Sequence, residues 1–140
     1  MKKTTKVMAI LLCAVTMVML SACSKEDTNE RKIIGKWITT NEVKYFYDGE
    51  GNLIGTEDYS VGDVYEFKSD GTASENGVFF VKYSIAGDEL VLGEGTVTFS
   101  YRIVELTNST MIWEEQTEPI HGLGYNEGYY SVFHTVLEKQ

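Results

Sequence analysis

The chain has 140 residues, with 12 basic and 21 acidic side chains, 43% hydrophobic residues, 13 Gly and two Cys. This length suits one globular domain, and the aromatic and β-branched content excludes disorder for most of it. Because the basic residues are scattered and outnumbered by acids, no basic stripe is present, and nucleic acid is not expected as a partner.

The first segment has the pattern of a secretion signal. Three lysines within the first six residues precede an apolar run over 7–20, and the small residues Ser21 and Ala22 follow. A basic start, an apolar middle and a small-residue end are typical of a signal peptide. The run is shorter than the roughly 20 residues that a membrane-spanning helix needs. We therefore expect residues 1–22 to be a cleaved signal peptide.

The tetrad Leu20-Ser21-Ala22-Cys23 resembles the bacterial lipobox. The resemblance implies cleavage before Cys23 and attachment of diacylglycerol to its thiol, with acyl chains such as palmitate. Each buried methylene contributes roughly 0.8 kcal/mol, so several chains would make the membrane a permanent partner. Cys13 lies in the predicted signal peptide, so no disulfide is expected. Loss of three lysines with that peptide would move the net charge from −9 to −12.

Residues 23–32 are polar at first and are predicted to form a flexible tether. Within them, Lys25-Glu26-Asp27 resembles the export signal that Bacteroidota lipoproteins carry just behind the acylated Cys. That resemblance implies an outer-membrane lipoprotein displayed on the cell surface rather than on the periplasmic face. The alternative is an acidic, solvated linker without a sorting role.

A short helical turn is predicted just before the first strand. Asn29 would cap it, Ile33 and Ile34 would enter the core, and Gly35 would end it.

From Gly35 onward, polar turns alternate with strand patterns. Residues 97, 99, 101 and 103 are apolar and alternate with polar ones, as expected for a strand with one buried face. Such runs, separated by Gly-containing turns, predict an all-β sandwich or barrel. The predicted strands lie near 36–47, 53–59, 61–69, 72–85 (with a break at Gly77 left open), 89–92, 96–106, 110–117 and 129–138.

Two sets of residues resemble a known family. Gly35-Lys36-Trp37 is similar to the Gly-x-Trp signature of lipocalins, and the segments 65–72, 83–92 and 101–107 resemble the lipocalin-like lipoproteins of Bacteroidota. The resemblance runs from about residue 33 to about residue 116. It implies, over 33–140, an antiparallel up-and-down meander that closes into a barrel of about eight strands.

The same resemblance bears on the residues around the tryptophan. Gly35 and Trp37 are expected to be structural, with Trp37 filling the closed end. Lipocalins place a late Arg against this Trp, whereas the last predicted strand here offers His134 and Lys139.

We expect no enzymatic activity, no cofactor and no metal site. No Ser lies in a Gly-x-Ser-x-Gly motif. The neighbouring Glu114 and Glu115 point to opposite faces of a strand and cannot form an acid/base pair. The set Glu115, Glu118 and His121 matches no metal-binding spacing and is expected to be an exposed acidic loop.

The connection 117–128 is longer and more apolar than the other turns, which is typical of functional or mobile loops. It either contacts a ligand, chiefly through His121 and Tyr125, or covers the barrel end. Trp113 is a third candidate contact, because either it or Ile112 must face inward. The leading hypothesis is a barrel that binds a small apolar or amphipathic molecule. The alternative is a protein-interaction module with a filled barrel, and a cavity of at least about 300 Å³ would distinguish the two.

Overall fold

The computed structural model of the chain describes residues 25–117 and 128–140. The predicted signal peptide, Cys23 and residues 118–127 lie outside the described residues. The chain begins with helix α1 (Lys25–Ile33) and continues with strands. Within the described ranges these are β1 (Gly35–Tyr47), β2 (Leu53–Asp58), β3 (Val64–Phe67), β4 (Thr72–Glu75), β5 (Phe79–Ala86), β6 (Glu89–Glu94), β7 (Val97–Leu106), β8 (Thr110–Gln116) and β9 (Tyr130–Lys139).

The strands form one antiparallel meander that closes into a barrel, which confirms the predicted fold class. Strands β3 to β9 pair in chain order, and β9 pairs with β1 to complete a ring of eight. The other edge of β1 is shared, because residues 35–38 pair with β3 and residues 43–47 pair with β2. Strand β2 therefore extends one side of the barrel as a ninth strand.

The predicted strand over 72–85 is two strands separated by a turn. Asn76 and Gly77 have φ values of 50° and 69°. Two consecutive positive φ angles reverse the chain in the sense that matches strand twist, and Asn-Gly is the dipeptide best suited to them. The break left open at Gly77 is thus a hairpin turn between β4 and β5.

Helix α1 occupies residues where the sequence predicted a flexible tether. It starts at Lys25, so Asn29 does not cap it, and Asn29 instead donates a side-chain hydrogen bond to the Gly87 carbonyl at 3.0 Å. Lys32 Nζ donates to the Leu106 carbonyl at 3.4 Å. A nine-residue helix is marginal in isolation, and these bonds to the barrel supply tertiary stabilisation that local sequence patterns do not reveal.

One end of the barrel is closed by a packed core. Ile33 at the end of α1 is fully buried, whereas Ile34, also predicted to enter the core, is only half-buried. Trp37 is fully buried and its Nε1 donates to the Ile33 carbonyl at 2.7 Å. The other fully or almost fully buried apolar side chains of this end are Phe67, Leu90, Met111 and Leu137. This layer closes the barrel at the side where α1 enters.

A bulge in β1 determines which side chains enter the barrel. Trp37 and Thr39 face inward, and the pairing with β9 shifts between Thr39 and Asn41. The extra residue, Thr40, reverses the alternation. Beyond it, Glu42 and Lys44 pair with Thr135 and Phe133 on the inward face.

No helix within residues 25–117 and 128–140 is both long and apolar enough to cross a bilayer.

Candidate functional site

The open end of the barrel contains a cavity of about 280 Å³. It lies opposite the packed end, against the inner wall formed by β3 to β7. Tyr65, Phe99 and Tyr101 supply aromatic surface, and Glu75 supplies a carboxylate. The volume falls just below the roughly 300 Å³ at the lower end of ordinary ligand pockets, so size alone does not favour the ligand-binding hypothesis over a filled barrel.

Trp113 lies at the floor of this open half. The structure places Trp113 inward, 2% exposed, and leaves Ile112 half-buried on the other face of β8. Its ring contacts Tyr65 edge to face at 5.1 Å between centroids and Tyr101 at 5.0 Å. Edge-to-face and tilted contacts at these separations are favourable aromatic geometries. Tyr65 and Tyr101 line the cavity, and the buried ring of Trp113 packs against both; the three rings are called here the aromatic floor.

Three half-buried carboxylates project toward the same interior. Glu75 accepts a hydrogen bond from the Tyr65 hydroxyl at 3.1 Å, and Glu42 accepts one from Thr135 at 3.1 Å. Glu115 faces inward at its pairing with Phe133 on β9, and among the described residues its carboxylate makes no hydrogen bond or ion pair. These carboxylates, Glu42, Glu75 and Glu115, are called here the lumen acids.

The lumen acids influence the pKa values of the same neighbouring groups. Burial raises the pKa of Glu115, and the charge of Glu42 raises it further. Burial also raises the pKa of the Tyr101 hydroxyl, with added contributions from all three lumen acids. The pKa of Tyr65 rises through burial and then through the neighbouring Glu75. The interior thus carries concentrated negative charge beside the aromatic floor.

Lys44 is the basic side chain that faces the open half among the described residues. Its Nζ lies 4.7 Å from the ring centroid of Phe133 and 5.1 Å from that of Phe46. It forms no ion pair with a lumen acid within the described ranges. Its ammonium group lies against aromatic rings instead, so the negative charges of the lumen acids outnumber the positive charge beside them.

The rim of the open end is apolar and exposed. Phe99 is 49% exposed although it lies on the inward alternation of β7. The hairpin residues Val78 and Val97 at the same end are also exposed, as are Leu53 and Ile54 at the start of β2. Strands β8 and β9, which the 117–128 connection joins, both reach this end. A molecule entering the barrel from this side meets exposed apolar side chains and the carboxylate of Glu75, which ends β4 at this rim.

Glu114 and Glu115 point to opposite faces, as strand alternation requires. On the outer face, Glu114 hydrogen bonds with Arg102 and with His134 Nδ1, the latter at 3.1 Å. Burial alone would raise the pKa of Glu114, but these two partners hold it below its usual range. An outer hollow of about 840 Å³ includes Arg102 and Glu114 in its lining. Arg102 and Glu114 in this hollow are paired with each other, unlike Glu115.

The predicted site residues fall into four groups. Trp113 lies on the aromatic floor, while Gly35 and Trp37 lie at the closed end. Lys25, Glu26 and Asp27 form the first turn of α1. The remaining candidates, Cys23, Glu118, His121 and Tyr125, lie outside the described residues.

The sequence does not indicate Glu42 or Glu75 as site residues, and the expectation that Glu115 lies in an exposed loop is wrong, because it is half-buried on the inward face of β8. Two of the three rings of the aromatic floor also go unrecognised: Tyr101 is one member of an alternating strand and Tyr65 one residue of the segment 65–72. Their common location becomes visible only when the barrel closes and brings β3, β7 and β8 to one cavity. Glu42 faces inward because of the bulge at Thr40, and the alternation of side chains in the sequence does not predict that bulge.

Within residues 25–117 and 128–140, no group of three or more His, Cys, Asp or Glu side chains is arranged to hold a metal ion. Comparisons with protein-family models, with curated protein sequences and with solved structures find no match to this chain.

Proposed function

We propose that the protein is a lipid-anchored outer-membrane lipoprotein whose barrel binds a small amphipathic molecule at its open end. The single observation that supports binding is the difference between the two ends. One end is packed around Trp37, whereas the other holds a cavity of about 280 Å³ with an aromatic floor. Small-molecule sites are concave and mainly apolar, with a few placed polar groups. No catalytic role is proposed.

The position of α1 supports a particular orientation on the membrane. The helix meets the barrel at its closed end, through Asn29 and Lys32. An acyl chain on Cys23 would attach two residues before this helix. The open end would then point away from the membrane, toward soluble or cell-surface molecules.

The binding function is tested with a panel of lipids, sterols and aromatic metabolites. Because Trp113 lies on the aromatic floor, a bound molecule should change tryptophan fluorescence and raise the melting temperature. Tyr101→Ala, which removes floor surface, should weaken the response. Ser84→Ala on the exposed outer face of β5 is the matched control. A panel without any binder would contradict the proposal.

Surface display is tested with intact cells. Protease added outside should remove the protein, and replacing Lys25, Glu26 and Asp27 with Ala should protect it. Full protection of the unaltered protein would place it on the periplasmic face.

The exposed apolar rim favours one alternative function, a protein-interaction module. Val97 and Val78 are 66% and 78% exposed at neighbouring hairpins, and such surface marks interaction sites on soluble proteins. Val97→Lys together with Val78→Lys should abolish partner capture if this function holds. The same change should leave binding deep in the cavity intact if the small-molecule function holds.

A further inference from the structure

We infer that the ligand of the open half is an organic cation, an amine or guanidine attached to an apolar body of about the size of an aromatic ring. The inference rests on the proposed binding function and specifies the chemical class of the ligand. Its basis is the combination of a cavity, an aromatic floor and unneutralised carboxylates in one interior.

The interior carries more acidic than basic side chains, so an anionic ligand fits it less well than a cationic one. Glu42, Glu75 and Glu115 project inward from β1, β4 and β8. Against these acids stands Lys44 alone among the described residues, held over Phe133 and Phe46. A carboxylate or phosphate ligand would add like charge to a partly desolvated site, whereas a cation would relieve the repulsion.

The aromatic floor suits the same ligand. A cation is attracted to the faces of Trp and Tyr rings, and the attraction strengthens when water is excluded. Tyr65, Tyr101 and Trp113 contact one another at about 5 Å, next to the carboxylate of Glu75. An apolar ligand body can pack on these rings while its charged group reaches a lumen acid.

A second, independent observation is a buried hydroxyl without a partner. Thr39 lies on the inward face of β1, between Trp37 and Glu42, and is 3% exposed. Its Oγ1 has no hydrogen-bond partner among the described residues, although buried hydroxyls are normally paired. A hydroxyl both donates and accepts, so Thr39 marks an unmet polar contact that the N–H of an ammonium or guanidinium group can fill. The carboxylates, not this hydroxyl, determine the sign of the ligand's charge.

The carboxylates do not suit a bare metal ion. No three of them converge as a metal site within the described ranges, and Glu75 and Glu42 are each engaged by a neighbouring hydroxyl. They lie on three different strands, β1, β4 and β8.

The test uses three water-soluble probes with the same ring and similar length: 2-phenylethylamine, 2-phenylethanol and 3-phenylpropanoate. The full chain is titrated in a non-ionic detergent by calorimetry and tryptophan fluorescence, with protein-free micelles as the blank. The amine should bind about tenfold tighter than the alcohol, since it adds a close charge pair. The propanoate should bind more weakly than the alcohol.

Two variants assign the preference to the lumen acids. Glu115→Gln and Glu75→Gln keep the shape of each side chain, and each should weaken amine binding about tenfold while leaving alcohol binding unchanged. Glu138→Gln removes one charge from the exposed outer face of β9 and should change neither. This control separates a local charge pair from the general acidity of the protein.

Each of the other possible results of these titrations leads to a single conclusion about the ligand. Equal binding of amine and alcohol, unaffected by Glu115→Gln, overturns the cation preference and leaves the proposed binding function standing. Tightest binding of the propanoate overturns the preference in favour of an anion. If none of the three probes binds while the wider lipid panel contains a binder, the cation inference fails alone. If neither set binds, the proposed function fails with it.

Discussion

The ammonium group of Lys139 lies 5.1 Å from the ring centroid of Trp37 and donates a hydrogen bond to the Lys32 carbonyl at 3.0 Å. One side chain at the end of β9 therefore joins the first strand to the last turn of α1. The last predicted strand offers His134 and Lys139 as basic residues, and Lys139 is the one that lies over the Trp37 ring.

Removing only the charge of Lys139 should lower stability. Lys139→Met keeps an apolar stem against Gly35 but loses the contact with Trp37 and the bond to Lys32. A cation over a Trp ring contributes roughly 0.5–2 kcal/mol, and a net hydrogen bond about 1 kcal/mol. We expect a loss of about 1–3 kcal/mol by urea unfolding. Lys36→Met, exposed on β1, should cost less than half as much.

Trp37→Ala should be the more damaging change. Trp37 is completely buried and is part of the layer that closes the barrel. Large-to-small changes of buried aromatic residues cost about 3–5 kcal/mol, because a cavity remains. Thermal and urea unfolding should both show the loss. An unchanged melt would contradict the position given to this side chain.

Gly35→Ala should also destabilise, for a reason specific to Lys139. Gly35 has φ of +131°, and a Cβ there would lie 2.7 Å from Lys139 Cε. Backbone strain of this kind costs on the order of 1–3 kcal/mol. Shortening the neighbour with Lys139→Ala should remove the steric part but not the strain. The double variant should thus lose less than the sum of the two single losses. Strict additivity would show that the two residues do not meet.

Cys23 is expected to carry the membrane anchor. Labelled fatty acid should enter the unaltered protein, and Cys23→Ser should abolish both labelling and membrane association. Ser24→Ala, at the adjacent position, is the control and should retain both. Equal labelling of the Cys23→Ser protein would rule out acylation at this residue.

The sequence predicted the meander well because its signals are local. Glycine-containing turns such as Asp70-Gly71 and Gly87-Asp88 mark hairpins, and alternation marks the strands between them. The end of helix α1 agrees with the helical turn predicted before the first strand, but its start at Lys25 was not predicted, because its stabilising bonds go to Gly87 and Leu106, far away in the chain.

The lumen acids show a different limit of sequence reasoning. Uninterrupted alternation from Trp37 would place residues 41, 43 and 45 inside the barrel. The bulge at Thr40 places Glu42 and Lys44 there instead. The bulge residue Thr40 thus replaces a mixture of polar and apolar side chains on the inward face of β1 with charged ones. The bulge is set by the pairing of β1 with β9 that closes the barrel, and the local sequence does not show it.

Glu115→Gln should stabilise the protein at neutral pH. Burial and the charge of Glu42 raise the pKa of Glu115 above its ordinary value of 4.5. The folded state therefore holds this proton more tightly than the unfolded state does. As pH rises from about 4.5 through the folded-state pKa, stability is lost, and the loss persists at pH 7. Gln carries no charge, so the variant escapes this loss.

The decisive measurement is how the difference in unfolding free energy between the Glu115→Gln variant and the unaltered protein changes with pH. Urea unfolding of both proteins between pH 3.5 and 8 should give a gain for Glu115→Gln at pH 7 that shrinks toward zero below about pH 4.5, where Glu115 is protonated in both states. Glu138→Gln, exposed on the outer face, should show no such pH-dependent gain. A variant that is less stable at pH 7 would mean that Glu115 has a favourable partner. A gain in stability together with a loss of amine binding would show that this carboxylate is retained for its ligand at a cost to the fold.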